Sequence, residues 1–173
     1  GTALYDAVYL ASDEIMKKQT GRKALILLTD GEDTSSKISL AEAISSCEHV
    51  DTLAYAIRIA DDESTPMRGF GGHGGYGGRG RGGGYERPDG KKILKQISHT
   101  TGGAYFEVSK KKTVEQIYSQ IEEELRSQYS LGYSSDKPAG DTAFRKIALT
   151  VNRKGLVIQS RDGYYPHVKV GTS

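Results

Sequence analysis

Apolar residues recur along the first third of the chain in two different spacings. Over residues 3–18 they return every three or four positions, which predicts an amphipathic helix. Residues 24–28 and 52–59 are instead short, nearly continuous apolar runs, as expected for strands buried on both faces of a parallel sheet. Between these runs, Ser39 followed by Glu42 matches a capping box and predicts the start of a second helix.

The alternation of helix and strand resumes near residue 90. Residues 90–99 and 113–128 have the helical spacing, and residues 104–108 between them have the composition of a short strand. Helices that alternate with strands predict a parallel sheet covered on both faces, so we predict an α/β fold of the doubly wound, mostly parallel type. The strands expected at its centre are residues 25–28, 55–57 and 105–106.

The last quarter of the chain has a different pattern. Residues 129–133, 144–151 and 156–161 are strand candidates, and apolar residues alternate with polar ones in the second of them. The tight-turn sequence at residues 152–155 predicts that the last two candidates pair as an antiparallel hairpin. We therefore expect a C-terminal β extension, over residues 129–173, packed on the α/β part.

A glycine-rich stretch at residues 69–84 interrupts the α/β pattern. Glycine loses the most backbone entropy on ordering, and few apolar side chains are present here to offset that cost. Because helix and strand patterns resume directly afterwards, we predict a mobile loop inserted into one α/β domain over residues 1–128, and not a linker between domains.

Composition narrows the classes of function only modestly. A net charge of +2 does not by itself indicate a nucleic-acid or membrane partner. Cys47 is the only cysteine, which excludes an internal disulfide, and its helical position predicts burial. No stretch approaches the roughly 20 apolar residues of a membrane span, and no signal-peptide pattern begins at Gly1. The first residues do not resemble a natural start, so we expect a piece of a longer protein.

Polar residues follow the first apolar run directly, at residues 29–33, which read Thr-Asp-Gly-Glu-Asp. In open α/β sheets ligands bind beyond the carboxyl ends of the strands, and the Asp30 carboxylate could there bind a hard cation such as Mg²⁺. Thr2, just before the first helix, offers a hydroxyl group. The alternative is that these residues only form a turn and a helix cap, since Asp, Gly and Thr are common at such joints.

Five segments resemble a known family, in the order expected for it. Residues 1–7 and 24–33 resemble the second and third loops of a von Willebrand factor A domain. Residues 128–133, 144–147 and 160–165 are similar to the bacterial branch described as von Willebrand factor A-related acidobacterial domains. The resemblance covers nearly the whole chain except the glycine-rich stretch, and it implies the same α/β fold without its first strand.

The resemblance also implies a metal-ion-dependent adhesion site, which that family assembles from three loops. The Thr of the second loop corresponds to Thr2, and the Asp of the third loop corresponds to Asp30. The Asp-x-Ser-x-Ser of the first loop is absent, because the nearest string, at residues 33–37, has the wrong spacing and position. We therefore expect little metal affinity in this chain alone, and bound Mg²⁺, Mn²⁺ or Ca²⁺ in a full-length parent.

A non-enzymatic, exported module for protein binding or adhesion is the function that the resemblance implies. A protein partner offering a carboxylate would complete the metal shell, with Glu32 and Asp33 as further partner-binding residues. No nucleophile, base and oxyanion-stabilising set can be assembled from the sequence, which also argues against an enzyme. The family's first strand pairs beside residues 25–28, so its absence predicts an exposed apolar edge through which the chain self-associates.

Two alternative functions remain open. Arginine and aromatic side chains in and around the glycine-rich stretch could bind single-stranded nucleic acid by charge and stacking. The residues concerned are Arg68, Tyr76, Arg79, Arg81, Tyr85 and Arg87. Against this, low-complexity sequence also grows in tolerant surface loops without any binding role. The other alternative is a purely structural domain of a larger envelope protein.

Overall fold

The computed structural model describes residues 1–59, 89–138 and 141–166. Three of its strands, β1 (Lys23–Thr29), β2 (Thr52–Arg58) and β3 (Tyr105–Glu107), form a parallel sheet in the order β1-β2-β3. Helices flank this sheet, and a separate antiparallel pair of short strands follows it. The predicted α/β class, with a parallel sheet and a C-terminal antiparallel hairpin, is therefore confirmed.

The described residues contain the helices α1 (Leu4–Leu10), α2 (Leu40–His49), α3 (Gly90–Thr101) and α4 (Val114–Arg126). Helix α1 continues as a π turn, Ala11–Ile15, and a 3₁₀ turn, Met16–Lys18, so the helix predicted over residues 3–18 is present with altered winding. The capping box of Ser39 and Glu42 before α2 is confirmed.

Strand β2 lies at the centre of the described sheet and is buried on both of its faces. Ala54 and Ala56 belong to a core formed with α1, α2 and α3, whereas Tyr55 and Ile57 belong to a second core formed with α4. Because side chains alternate between the faces of a strand, this one apolar run supplies both cores. The prediction of a doubly buried strand is confirmed for β2.

Strand β1 is equally apolar but much less buried. None of its residues is fully buried, and Ile26 and Leu28 expose 40% and 49% of their surface. In a three-stranded sheet only the middle strand has two neighbours, so β1 and β3 form the edges of the described sheet. The expectation that all three strands lie at the centre is therefore wrong for β1 and β3 within the described residues.

The C-terminal hairpin is shorter than predicted, and the strand predicted at residues 156–161 is wrong: that range has no strand structure, and the second strand of the hairpin follows it. Strand β4 (Arg145–Lys146) pairs antiparallel with β5 (Gly163–Tyr164), and the Ile147 amide extends this register by donating to the Asp162 carbonyl at 2.8 Å. Between these two strands the arms of the hairpin have no further strand structure. The predicted turn is present, and its Gly155 has a φ of +83°.

The strand predicted at residues 129–133 is wrong. In the described chain this segment has no strand structure, and Tyr129 is 93% exposed. An alternating pattern becomes a strand only where a neighbouring strand takes up its main-chain hydrogen bonds, and no described strand pairs with this segment.

The extension contacts the α/β part at the carboxyl ends of two helices. The Asp162 amide donates to the Thr100 carbonyl at 3.1 Å, and the Tyr165 ring stacks on His49 with centroids 3.7 Å apart. Gly102, which ends α3 with a φ of +84°, lies so close to the tail that a β-carbon there would be 2.6 Å from the Arg161 nitrogen. A glycine is required at this crossing.

The remaining residues, 60–88, 139–140 and 167–173, lie outside the described structure. They include the predicted loop at residues 69–84 and all six residues of the nucleic-acid alternative, Arg68, Tyr76, Arg79, Arg81, Tyr85 and Arg87. No described helix combines the length and the apolar character needed to cross a lipid bilayer.

Replacing Thr101 by Val tests how the start of β2 is held. The buried Thr101 hydroxyl accepts from the Ala54 amide at 3.0 Å and donates to the Ile97 carbonyl at 2.8 Å. Valine keeps the shape but leaves the Ala54 amide without this acceptor, so we expect Thr101→Val to lower the free energy of unfolding by about 1–3 kcal/mol in urea denaturation. Thr100→Val, at a half-buried position, is the matched control and should cost less than about 0.5 kcal/mol. Equal losses would contradict the assigned role.

Candidate functional site

The carboxyl ends of the three parallel strands meet at one edge of the sheet, where ligands bind in open α/β folds. We call this edge the strand-end rim and define it as residues 30–36 after β1, Arg58 at the end of β2, Glu107 at the end of β3, and Lys91 in the first turn of α3. Of the two metal residues predicted from the sequence, Asp30 lies at the start of this rim, and Thr2 contacts the loop that follows it.

A tight turn begins the rim at Asp30. Its carboxylate accepts from the Glu32 amide at 2.9 Å and from the Thr29 hydroxyl at 3.3 Å, and the Thr29 hydroxyl in turn accepts from the Gly31 amide at 3.1 Å. These bonds satisfy the first amides of the turn locally, as Asx turns do. Asp30 and Glu32 are both exposed. The predicted turn role of these residues is therefore present, together with an accessible carboxylate.

Two glycines fix the turn against helix α3. Gly31 is buried and has a φ of +89°, and a β-carbon there would lie 2.4 Å from the Gly90 carbonyl oxygen. A β-carbon on Gly90 would lie 2.7 Å from the Asp30 carbonyl oxygen. Only a residue without a side chain allows the two backbones to approach this closely at either position. The first turn of α3 is thereby brought to the rim.

The Asp33 carboxylate caps helix α1, although it lies 28 residues further along the sequence than the amide that it accepts. It accepts from the Tyr5 amide at 3.1 Å and from the Ser36 amide at 3.2 Å, and the Ser36 hydroxyl also donates to it. Partial burial acts to raise the pKa of Asp33, but the hydrogen bonds from Ser36 and Tyr5 hold that pKa below its usual value. Both carboxylate oxygens of this predicted partner-binding residue are thus used inside the fold.

The start of the chain is bound to the same loop. The Thr2 carbonyl accepts from the Thr34 amide at 2.9 Å and from the Ser35 amide at 3.2 Å, and the Thr2 amide donates to the Thr34 hydroxyl at 3.0 Å. The structure therefore brings Thr2 against the loop that begins at Asp30.

One more carboxylate completes the attachment of this loop to α1. Asp6 accepts from the Lys37 amide at 2.9 Å and from the Ile38 amide at 3.1 Å. The joint between α1 and the loop after β1 therefore consists largely of main-chain amides paired with aspartate side chains. Spacing along the sequence did not reveal it, because the partners are about 30 residues apart.

A charge cluster closes the rim on its other side. The Arg58 guanidinium donates to Glu107 at 2.8 Å and to the Asp30 carbonyl at 3.2 Å, while the Lys91 ammonium donates to Glu107 at 2.7 Å. The hydrogen bond from Lys91 lowers the pKa of Glu107. Burial, followed by the nearby Glu107 charge, raises the pKa of Tyr105 to about 12. This cluster was not predicted from the sequence, because its only local signals are the charged residues at the ends of β2 and β3.

The donors at the rim do not fit a divalent metal ion on their own. Thr2 and Asp30 together offer one hydroxyl and one carboxylate, and metal affinity depends on the number of charged ligands. Asp33 and Asp6 already accept main-chain amides. Within the described ranges, no three His, Cys, Asp or Glu side chains are grouped closely enough to hold a metal ion.

Comparing Gly31→Ala with Gly21→Ala tests the contact between the two glycines. Both positions have a positive φ, +89° and +85°, but a β-carbon at Gly21 meets nothing within 4 Å. We expect Gly21→Ala to cost about 1–2 kcal/mol of unfolding free energy from backbone strain alone. Gly31→Ala should cost clearly more, because the Gly90 backbone must also move. Equal losses of unfolding free energy for the two variants in urea denaturation would show that the close approach of Gly31 and Gly90 does not contribute to stability.

Replacing Glu107 by Gln tests the charge cluster by its pH dependence. Because the folded pKa of Glu107 is lowered from 4.5, its contribution to stability is fully present above that pH and is lost as the pH falls through the folded pKa. The stability difference between wild type and Glu107→Gln, at most about 1 kcal/mol for a partly exposed pair, should therefore shrink on acidification. Glu14→Gln, in an exposed pair with Lys18, is the control. A difference that is the same at neutral and acid pH contradicts the assignment.

Comparisons with known proteins add little to the geometry. No family model matches the sequence, and no curated protein matches it. Among solved structures, the chain is similar to an aerotolerance-related membrane protein from Bacteroides fragilis NCTC 9343 that carries multiple mutations to serines. The TM-score is 0.46 at 18% identity, and the match covers 74% of this chain and 61% of that one, less than two thirds of its length. A likeness at this level assigns neither a family nor a function.

Proposed function

We propose that this chain is a non-enzymatic protein-binding module, and that its partner contacts the loop of residues 30–36 at the strand-end rim. The observation that carries the proposal is the joint between this loop and helix α1. Thr2, Asp6 and Asp33 hold the loop in place, while Asp30 at its beginning stays exposed. Exposed polar groups on a loop fixed by a rigid scaffold are typical of recognition sites.

The resemblance to von Willebrand factor A domains supports the same location. The segments that resemble the second and third loops of that family, residues 1–7 and 24–33, are far apart in sequence but are joined directly by a hydrogen bond from the Tyr5 amide to the Asp33 carboxylate. Adhesion by protein contact is the activity that this resemblance implies, and export from the cell is the location that it implies. Both belong to the proposal.

The reactive groups of the described chain support a binding role over catalysis. Burial raises the pKa of the Cys47 thiol, which makes it a poor nucleophile. The Ser45 hydroxyl lies 3.3 Å from His49 Nδ1, but the same nitrogen is 2.8 Å from the Ser45 carbonyl oxygen. A ring nitrogen that donates to a carbonyl cannot also accept the serine proton, so this contact does not form an activated serine.

Metal binding is not part of the function that we propose for this chain. The adhesion-type site that the resemblance implies needs the Asp-x-Ser-x-Ser loop in addition to Thr2 and Asp30. We expect calorimetric titration with MgCl₂ to give a dissociation constant weaker than about 1 mM, because a single carboxylate and a hydroxyl supply too little charge. Saturable micromolar binding that is lost in Asp30→Asn would contradict this and restore the metal site.

Asp30→Asn tests the partner-binding role of the rim. Asparagine preserves the oxygen that accepts the Glu32 amide but removes the charge. Peptides selected from a display library against the immobilised chain should bind Asp30→Asn at least about tenfold more weakly, a loss of about 1.4 kcal/mol. Asp141→Asn is a closely matched control, because Asp141 accepts the Ala143 amide at 3.0 Å in a turn of the same kind in the tail.

The two variants separate binding from folding. Asp30→Asn and Asp141→Asn should unfold at similar urea concentrations, since both keep their turn hydrogen bonds. If the selected peptides bind both variants as well as they bind wild type, the partner does not contact the rim and the proposal fails.

A further inference from the structure

Positive charge is concentrated on the β3 side of the strand-end rim. Residues 89–112 contain six lysines against one aspartate and one glutamate, a balance of +4 in a chain whose total is +2. Four of these lysines are exposed, and we call them the basic edge: Lys92, Lys95, Lys110 and Lys111. Within the described ranges none of the four forms an ion pair, whereas the exposed Lys17 and Lys18 each pair with an acidic residue.

The acidic residues of this region already have roles within the fold. Asp89 caps α3 by accepting from the Lys91 amide at 3.0 Å. Glu107 accepts from Arg58 at 2.8 Å and from Lys91 at 2.7 Å. Glu115 lies in the first turn of α4, where a negative charge stabilises the helix. The lysines of the basic edge therefore repel one another without compensation from these carboxylates, and an anionic partner would relieve that repulsion.

Helix α3 contributes two lysines of the basic edge. Lys92 and Lys95 are three residues apart, which places them side by side on the surface of the helix. The Lys95 ammonium lies 5.5 Å from the centre of the Tyr105 ring, so this surface of the helix borders β3. The close approach of Gly31 and Gly90 fixes the start of the helix at the rim.

The turn after β3 contributes the other two lysines. Lys110 and Lys111 lie at its tip. The turn is closed by two main-chain hydrogen bonds between Ser109 and Lys112, at 3.0 and 3.1 Å. The Lys112 ammonium donates to Gln120 of α4 at 2.7 Å, which anchors the turn to that helix. Because the main chain is already fixed at both parts of the basic edge, a ligand that binds there does not have to order it.

We propose that the basic edge binds an acidic segment of the protein partner, which crosses the strand ends from Asp30 to β3. This inference rests on the proposed function and adds the chemistry of the partner. Neighbouring strands are about 4.8 Å apart, so β1 and β3 are about 10 Å apart across β2. An extended polypeptide covers that distance in about three residues. The partner therefore carries a basic residue opposite Asp30 and aspartate or glutamate residues about three positions away.

The charges of the whole rim favour such a segment over a nucleic acid. Asp30 and Glu32 are exposed on the β1 side and would repel a chain of phosphates that lay across the strand ends. Tyr105 is half-buried with its hydroxyl enclosed, and Lys95 lies over its ring, so it is poorly placed to stack on a base. A polypeptide can carry both signs of charge and so match both sides of the rim.

Removal of three exposed lysine charges tests the basic edge. The edge variant combines Lys92→Gln, Lys110→Gln and Lys111→Gln. The control variant removes the same charge from exposed positions in the tail by combining Lys137→Gln, Arg153→Gln and Lys154→Gln. In fluorescence anisotropy, a labelled peptide with a run of glutamates should bind the edge variant at least about fivefold more weakly than wild type, and the control variant as wild type. Added NaCl should weaken binding to wild type, and the same peptide with glutamines should not bind.

The peptides selected by display separate this inference from the proposed function. They should be enriched in aspartate and glutamate and should bind the edge variant, but not the control variant, more weakly than wild type. Selected peptides without acidic residues, or equal binding of the glutamate peptide to the edge variant and to wild type, overturns the inference. Weaker binding to Asp30→Asn would then still support the proposed function.

Two further measurements complete the test. Urea denaturation checks that the edge and control variants are folded. A single-stranded oligonucleotide that binds through the same lysines more tightly than the glutamate peptide overturns the choice of an acidic polypeptide. Peptide binding that depends on the basic edge but is unchanged in Asp30→Asn overturns the contact at Asp30 and leaves the basic edge as the site.

Discussion

The organisation of the strand-end rim depends on carboxylates that accept main-chain amides across a long separation in sequence. The first amides of any helix lack partners within the helix, and Ala3, which precedes α1, has no side chain that could accept one. Asp33, in the loop after β1, supplies that acceptor. Asp6, in α1, in turn accepts main-chain amides of the same loop. The helix and the loop therefore each supply a carboxylate that accepts main-chain amides of the other.

Four acidic residues at this joint and at the rim have different roles, although the sequence alone does not distinguish them. Asp6 and Asp33 are internal acceptors, and Glu107 is held between two cations. Asp30 shapes its own turn and remains exposed. Asp6, Asp33 and Glu107 therefore have structural roles, whereas the Asp30 carboxylate remains exposed, which is the basis for proposing recognition at Asp30.

The sequence predicted what depends on local pattern. The apolar run of β2 and the Ser39 capping box were both correct, because burial on two faces and a cap three residues from its partner leave direct traces along the chain. Residues 129–133 were misread as a strand, because alternation does not specify whether a neighbouring strand is present. The capping of α1 by Asp33 and the pairing of Arg58 with Glu107 were not predicted. Contacts between residues 28 and 49 positions apart produce no recognisable pattern along the sequence.

The tail crosses the α/β part at Gly102, at the end of the sheet opposite the strand-end rim. The extension is attached where α2 and α3 finish, at the amino ends of the strands, whereas the rim lies at their carboxyl ends. Local opening of the hairpin breaks the stacking of Tyr165 on His49 but no contact of the loop at Asp30. Amide exchange in the tail can therefore be rapid while the rim stays protected, and insertions between the hairpin arms can accumulate without altering the opposite end.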